Sequence, residues 1–428
     1  MKPATDDGDE GLAGGLVPPC PNGLFGFPPG CSVVNDPDEE IMELYMNLAS
    51  TSPEIRARSL IDHGNGKANA PSDGDSGGLG FLDSNSSILD ISIDLLQSAS
   101  AVPSATAKDH PMGDKKSTGS RSKRGGVKAE KRIERKSKAV ESVEVLIQQD
   151  LGALKGRKGD TGSVLWRSSL HLARHILTQH HYPPSTTPSL LDPASLSTAR
   201  VLELGSGTGL LAVLLSQICG SYTASDRLEN LRLVKRNLEL NGIPIGDGGS
   251  ASKVQASQAG EEGGATTLSS SGFSSGGGGL KAQKSKAMAG VATKKAVHLE
   301  EIDWVAVSHE RNNRQSQSQS RSQEQGYGHP RGDESDPGTY DLLLAVDCIY
   351  NEHLVQPLVN TLARYCPRGG KTVVWVVVEL RSADVLTLFL EKWMDDPSGP
   401  WTIVRLSEDA MGGWQGTRAR WVGWVGWR

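Results

Sequence analysis

Three glycines at alternate positions, Gly205, Gly207 and Gly209, follow the short apolar run Ala199–Leu204 and precede the apolar run Leu210–Cys219. A strand-sized run, a sharp glycine turn and a helix-sized run make a βα unit, and such units build parallel sheets covered by helices. The chain repeats this alternation from Val140 onward. Strands are expected at Ser142–Gln148, Ser221–Ser225, Val297–Trp304, Tyr340–Val346 and Thr372–Glu379. Helical spacing covers Trp166–Gln179 (ended by Pro183-Pro184), Leu228–Leu240 (closed by Asn241-Gly242), Glu352–Tyr365 and Ala383–Met394. Two strands with no helix between them, Trp401–Leu406 and Arg418–Trp427, finish the chain. This pattern predicts a mostly parallel sheet with an antiparallel C-terminal pair.

Length alone, 428 residues, would suggest about three domains, but composition argues against that count. Glycine is abundant at 50 residues, aromatics make up only 5%, and long stretches carry little else than Gly, Ser, Lys, Gln and Glu. Such stretches cannot bury enough apolar surface to offset ordering entropy of about 1–2 kcal/mol per residue. Residues 1–139 are therefore expected to be mostly disordered, as are insertions at residues 244–295 and 308–338, which leaves one domain spanning residues 140–428. Within the N-terminal segment, Glu39–Leu60 suits one or two short amphipathic helices and Ser87–Leu96 suits either strand or helix. Both read as weakly ordered pieces or as pieces that dock on the core or a partner. From Lys115 to Lys138 eleven Lys or Arg stand against two Glu, a density that suits a nucleic-acid phosphate backbone, a nuclear-import receptor or a solvated linker.

The net charge of −5 excludes a wholly basic coat protein. No apolar run approaches a membrane span, the longest lying within Thr372–Leu380, and no secretory leader is visible. Five cysteines without C-x-x-C spacing fit reduced thiols. A soluble cytoplasmic protein is expected, with nuclear entry open through the basic run, no membrane partner, no metal site and a monomeric state.

The glycine turn also discriminates between ligands. A dinucleotide fingerprint needs Gly or Ala three positions after Gly207, where this chain has Leu210. G-x-G-x-G with Glu203 two residues before it suits S-adenosylmethionine (SAM), whose nucleoside and amino-acid tail need no pyrophosphate cradle. Glu203 can reach the methionine ammonium, directly or through water. Asp226 ends the second core strand, where a carboxylate can accept from both ribose hydroxyls; its alternative role is to cap the helix from Leu228. Trp304 and Trp166 fall at the carboxyl-end rim, the first to cover adenine and the second to open a helix capping the cofactor; packing is the alternative for each.

Ala345-Val346-Asp347-Cys348-Ile349-Tyr350 ends the fourth core strand, facing the transferred methyl. Methyl transfer to an amine needs mainly an aligned lone pair and a dry channel. Asp347 is expected to orient the amine or, alternatively, to cap the following helix. Tyr350 is expected to wall the channel for a lysine stem, and Cys348 to be a small buried residue. The string lacks the Asn/Asp-Pro-Pro-Tyr motif suited to amide and adenine nitrogens.

Thr161-Gly162-Ser163-Val164-Leu165-Trp166-Arg167-Ser168-Ser169, the Leu202–Gly209 string, Ile302-Asp303-Trp304 and Asp347-Cys348-Ile349-Tyr350-Asn351-Glu352-His353-Leu354 together resemble the seven-β-strand protein-lysine methyltransferase family. The resemblance covers Val140–Arg428 apart from the insertions. It implies an α/β fold of seven-stranded, Rossmann-like, class I methyltransferase type. It implies SAM held by Trp166, Gly205, Ser206, Gly207, Asp226, Trp304 and Ala345, and a large-subunit ribosomal protein of the L1 type as substrate. A SAM-fold assembly adaptor or chaperone, and a methyltransferase for RNA or another substrate, are the alternatives. The C-terminal Trp421 and Trp427 are expected on one strand face and Trp424 on the other.

Overall fold

The protein, a computed structural model, is described over residues 17–50, 81–83, 85–95, 141–156, 161–184, 187–246, 294–321, 339–413 and 420–428. In chain order its elements are β1 (Ser32–Val33), α1 (Pro37–Ser50), β2 (Ile88–Leu95), β3 (Glu141–Gln148), α2 (Leu151–Gly156) and α3 (Arg167–His181). Then come α4 (Pro193–Thr198), β4 (Arg200–Leu204), α5 (Leu210–Leu215), β5 (Ser221–Asp226), α6 (Leu228–Leu240), β6 (Val297–Glu301) and α7 (Trp304–Arg321). The chain ends with β7 (Leu342–Val346), α8 (Glu352–Tyr365), β8 (Val373–Glu379), α9 (Ala383–Met394), β9 (Thr402–Arg405) and β10 (Trp421–Trp427).

The main sheet has the order β1-β9-β10-β8-β7-β4-β5-β6. Strands β8, β7, β4, β5 and β6 run parallel, whereas β10 pairs antiparallel with both β8 and β9. From β4 the chain builds outward through β5 and β6, then returns to lay β7 on the other flank of β4. The order reverses there, opening a crevice at the carboxyl ends of β4 and β7, where α/β sheets bind ligands. Helices cover both faces, so the central strands read as continuous apolar runs. In β8, Val373, Trp375 and Val377 enter the core shared with α3, α5 and α6, while Val374, Val376 and Val378 enter the core shared with α8 and α9. Trp424 is buried in the second core and Trp427 packs on the first, as alternation requires. Local chemistry sets the helix ends. Asn351 caps α8 by accepting from the His353 amide, and Gly242 at φ +64° follows the end of α6.

Three features depart from the sequence reading. First, parts of the N-terminal segment, expected to be mostly disordered, pack on the sheet and its helices. Strand β1 adds to the sheet edge on β9, α1 packs on α9, and Leu24 and Phe25 enter the core. Buried Glu40 accepts from Trp424 Nε1 at 2.8 Å and pairs with Arg405, compensation that a buried carboxylate requires. Second, within Ser87–Leu96, a segment open to strand or helix, Ile88–Leu95 forms strand β2. Its alternate residues Leu89, Ile91, Ile93 and Leu95 are buried, and it pairs antiparallel with β3 in a separate ribbon. Third, the insertion expected from residue 308 begins as the continuation of α7. Ser308 and Arg311 anchor that helix on Asn360 and Asp396, contacts that local composition does not reveal. The second helix suggested beyond Pro53, most of residues 244–295 and the basic run from Lys115 to Lys138 lie outside the described residues. Among the described residues no helix is long and apolar enough to cross a membrane, and no cluster of three or more His, Cys, Asp or Glu could hold a metal.

Candidate active site

A cleft of about 490 Å³ opens where the strand order reverses, a size typical of small-molecule sites. One wall is the turn after β4. Gly205, Gly207 and Gly209 all have positive φ, and a Cβ on Gly205 would lie 3.0 Å from Cys348 Sγ and 3.2 Å from the Trp304 ring. On Gly207 a Cβ would lie 3.2 Å from the Gly162 carbonyl oxygen. Glycine is required here both for conformation and for space. Ser206 lines the cleft, but its amide and hydroxyl both donate to the Ser225 carbonyl, tying the turn to β5.

Glu203 is buried at the floor of this wall, and one of its oxygens accepts from the Tyr222 hydroxyl at 2.9 Å. Burial, with nearby Asp226 adding to it, pushes its carboxyl up to about 8 against the lowering effect of Tyr222 and Ser206. Such an acid is largely protonated at neutral pH and ionises more readily beside a cation. Asp226, raised chiefly by burial, accepts from the amides of Gly207 (2.8 Å) and Arg227 (2.7 Å) and from Asn230 Nδ2 (2.9 Å). Its carboxylate is thereby aimed along the cleft wall and is not the side-chain cap of α6, whose N-cap is Arg227.

The opposite wall is β7 and the turn after it. Val346, Asp347, Cys348 and Tyr350 line the cleft, whereas Ala345 packs inside the sheet between Leu204 and Val376 and does not line it. Asp347, at φ +59°, is the one non-glycine residue with positive φ among the described residues. Its carboxylate is fully engaged. Arg381 donates to both oxygens at 2.6 Å, Ser168 Oγ donates to Oδ2 at 2.8 Å, and the Glu379 amide reaches Oδ1 at 3.3 Å. A free carboxylate waiting for an amine is therefore not what the structure holds, nor is Asp347 the cap of α8, a role that Asn351 takes. Tyr350 lies at the mouth with 37% of its surface exposed, and burial of the remainder raises its phenol. Cys348 is buried and its thiol is pushed well up by burial, which favours the neutral thiol of a small packing residue.

Trp304 opens α7 with its ring against Gly205, and Asp303 caps that helix by accepting from the Val305 amide at 2.8 Å. Trp166 is the N-cap residue of α3; its Nε1 donates to the Thr161 carbonyl at 2.9 Å and the Arg381 guanidinium lies 4.6 Å above its ring. The structure thus brings Trp166, Glu203, Gly205, Ser206, Gly207, Asp226, Trp304, Asp347 and Tyr350 to one cleft. Sequence reasoning missed Asn230, Ser168 and Arg381. Asn230 was readable only as one helix turn beyond Asp226, and Arg381 had no local signal.

The residues fit SAM. Among the described residues no side-chain cation lies beside buried Glu203, a setting that suits a ligand ammonium, and the glycine turn leaves room for the backbone to approach a nucleoside. The family match agrees with this chemistry. The sequence profile of the family described as lysine methyltransferase matches residues 145–258 and 280–393. A ribosomal lysine N-methyltransferase 5 of Kluyveromyces lactis is 23% identical, over 61% of this chain and 74% of the relative. A diaminohydroxyphosphoribosylamino-pyrimidine deaminase of Schizosaccharomyces pombe is 27% identical over 58% of this chain, which spans only 41% of that relative. The solved fibrillarin/Nop5p complex superimposes with a TM-score of 0.29 and 12% identity, over 66% of this chain and 94% of that one. More than half of the chain lies within the matched profile, with the reversal in strand order and the glycine turn inside it, so the chain belongs to the lysine methyltransferase family and its cofactor is SAM.

Proposed function

We propose that this enzyme methylates a lysine side chain of a large-subunit ribosomal protein of the L1 type. The observation that carries the reading is the turn from Asp347 to Tyr350, set across the cleft from the glycine turn with Tyr350 exposed at the mouth. It is supported by the relative named as a ribosomal lysine N-methyltransferase.

In this reading Glu203 holds the cofactor ammonium, Asp226 the ribose hydroxyls, and Trp166 and Trp304 form the cofactor walls. When bound, SAM supplies a methyl group on a cationic sulfonium. Tyr350 walls the path of the lysine stem, and its protonated phenol remains a hydrogen-bond donor there. Asp347 acts by shape. Loaded by Arg381 and Ser168, it holds the strained turn open at the methyl end of the cleft. A lysine ammonium entering this partly buried channel beside a cationic centre loses its proton more readily than in water. In-line alignment and exclusion of water then supply the rate.

Incubating the protein with labelled SAM and purified ribosomal subunits, followed by mass-spectrometric mapping, tests the reading. Label on a lysine of the L1-type protein is expected. Label on ribosomal RNA, or none despite SAM binding, overturns it.

A further inference from the structure

Helix α3 starts at an unfavourable residue. Trp166 occupies its N-cap and makes no side-chain cap bond, where Ser, Thr, Asp or Asn would contribute about 1 kcal/mol. A large indole kept at that position must be useful in one orientation, and the structure holds it from three directions. Thr161 accepts its Nε1–H, Arg381 covers the ring, and Phe81 meets it edge-on with ring centroids 4.6 Å apart and planes inclined at 66°. Phe81 comes from the N-terminal segment, far from the glycine turn and the Asp347 turn in sequence.

That segment is fastened at the cleft edge by backbone bonds. Phe81 bridges to Trp166, the Leu82 amide donates to the Leu165 carbonyl at 2.9 Å, and the Gln149 amide donates to the Ser87 carbonyl at 2.8 Å. The buried side chain of Gln149 completes the joint. Its Nε2 donates to the carbonyls of Asp83 and Ser86, and its Oε1 accepts from the Leu165 amide, each at 2.7 Å. A primary amide with three short bonds leaves little freedom between the two strips. Phe81 is thereby delivered to one side of a ring that itself lines the cleft, together with Leu165 and Ser169.

We infer that Phe81 is a positioning residue of the cofactor site, acting through Trp166, so that the N-terminal segment completes a site otherwise built by residues after 160. The inference rests on Trp166 forming a cofactor wall. It predicts that Phe81 has no effect once Trp166 is gone, which a merely structural residue would not obey.

The test measures S-adenosylhomocysteine affinity by calorimetry on the full chain, together with melting temperature, so activity is not needed. Phe81→Ala is expected to weaken affinity about five- to ten-fold, with Phe81→Tyr restoring it. Trp166→Ala should weaken it at least as much, and the double variant should equal Trp166→Ala. Ile91→Ala, a core change in the same ribbon, should lower the melting temperature and leave affinity alone. Unchanged affinity in Phe81→Ala alone overturns the inference. Equal loss in Ile91→Ala, or full additivity in the double variant, overturns it too. Wild-type affinity in Trp166→Ala instead removes the cofactor-wall reading on which it rests.

Discussion

Glu203 lies at the floor of the cleft, where no cation among the described residues pairs with it, and Arg381 grips the Asp347 turn that forms the far wall. The unfolded chain loses the Glu203 proton near pH 4.5 and the folded, cofactor-free chain near 8. The folded state therefore binds more protons between those values, and its stability falls as pH rises across them. Glu203→Gln, which mimics the protonated form, should flatten that decline in melting temperature while weakening SAM binding at pH 8 by about ten-fold or more. An unaltered pH profile would contradict the assignment. Arg381→Lys keeps the charge but loses the two-pronged grip on Asp347, and is expected to cost about 1–3 kcal/mol in chemical denaturation and to lower turnover. Glu203 is legible in the sequence because it stands two residues from the glycine turn. Arg381 is not, because its partners Asp347 and Trp166 are brought to it only by the order of the strands.

At the scale of elements, helix α6 serves as a surrogate strand. Asn237 and Asn241, four residues apart, present their side-chain amides to Gln148 and Leu146, two residues apart on β3. Four helical residues rise about 6 Å and two strand residues about 6.6 Å, so the spacings match. Asn237 also donates to the Thr208 carbonyl, joining the ribbon to the glycine turn. Asn237→Leu should cost about 1–3 kcal/mol for each buried group left bare. Hydrogen exchange at the Gln148 amide should accelerate, and slow exchange there would refute the link. The apolar stripe of α6 was readable from Leu228, Leu231, Val234 and Leu238, of which Leu228 is exposed at the helix start. The amides were not, since Asn at a helix position carries no signal of what it faces.

For the whole molecule, the N-terminal segment closes the core. Phe25 meets Trp375 edge-on at 5.3 Å, and Phe27 stacks on Trp427 at 6.0 Å. Phe25→Ala should therefore cost about 3–5 kcal/mol, as a buried aromatic deletion does, and lower the melting temperature without changing the S-adenosylhomocysteine affinity of the folded protein. A loss below about 1 kcal/mol would show that the segment is not part of the cooperative unit. The parallel sheet, the glycine turn, the acids near it and the small buried Cys348 were legible locally, because strand and helix periodicity and backbone chemistry are written within a few neighbouring residues. The three-dimensional packing was needed to show that Asp347 is held by Arg381, that Gln149 fastens the strip carrying Phe81 to the strip carrying Trp166, and that residues 17–50, 81–83 and 85–95 belong to the fold. Those contacts join residues separated by tens to hundreds of positions, and a side chain's partner across such a distance depends on how the strands are ordered.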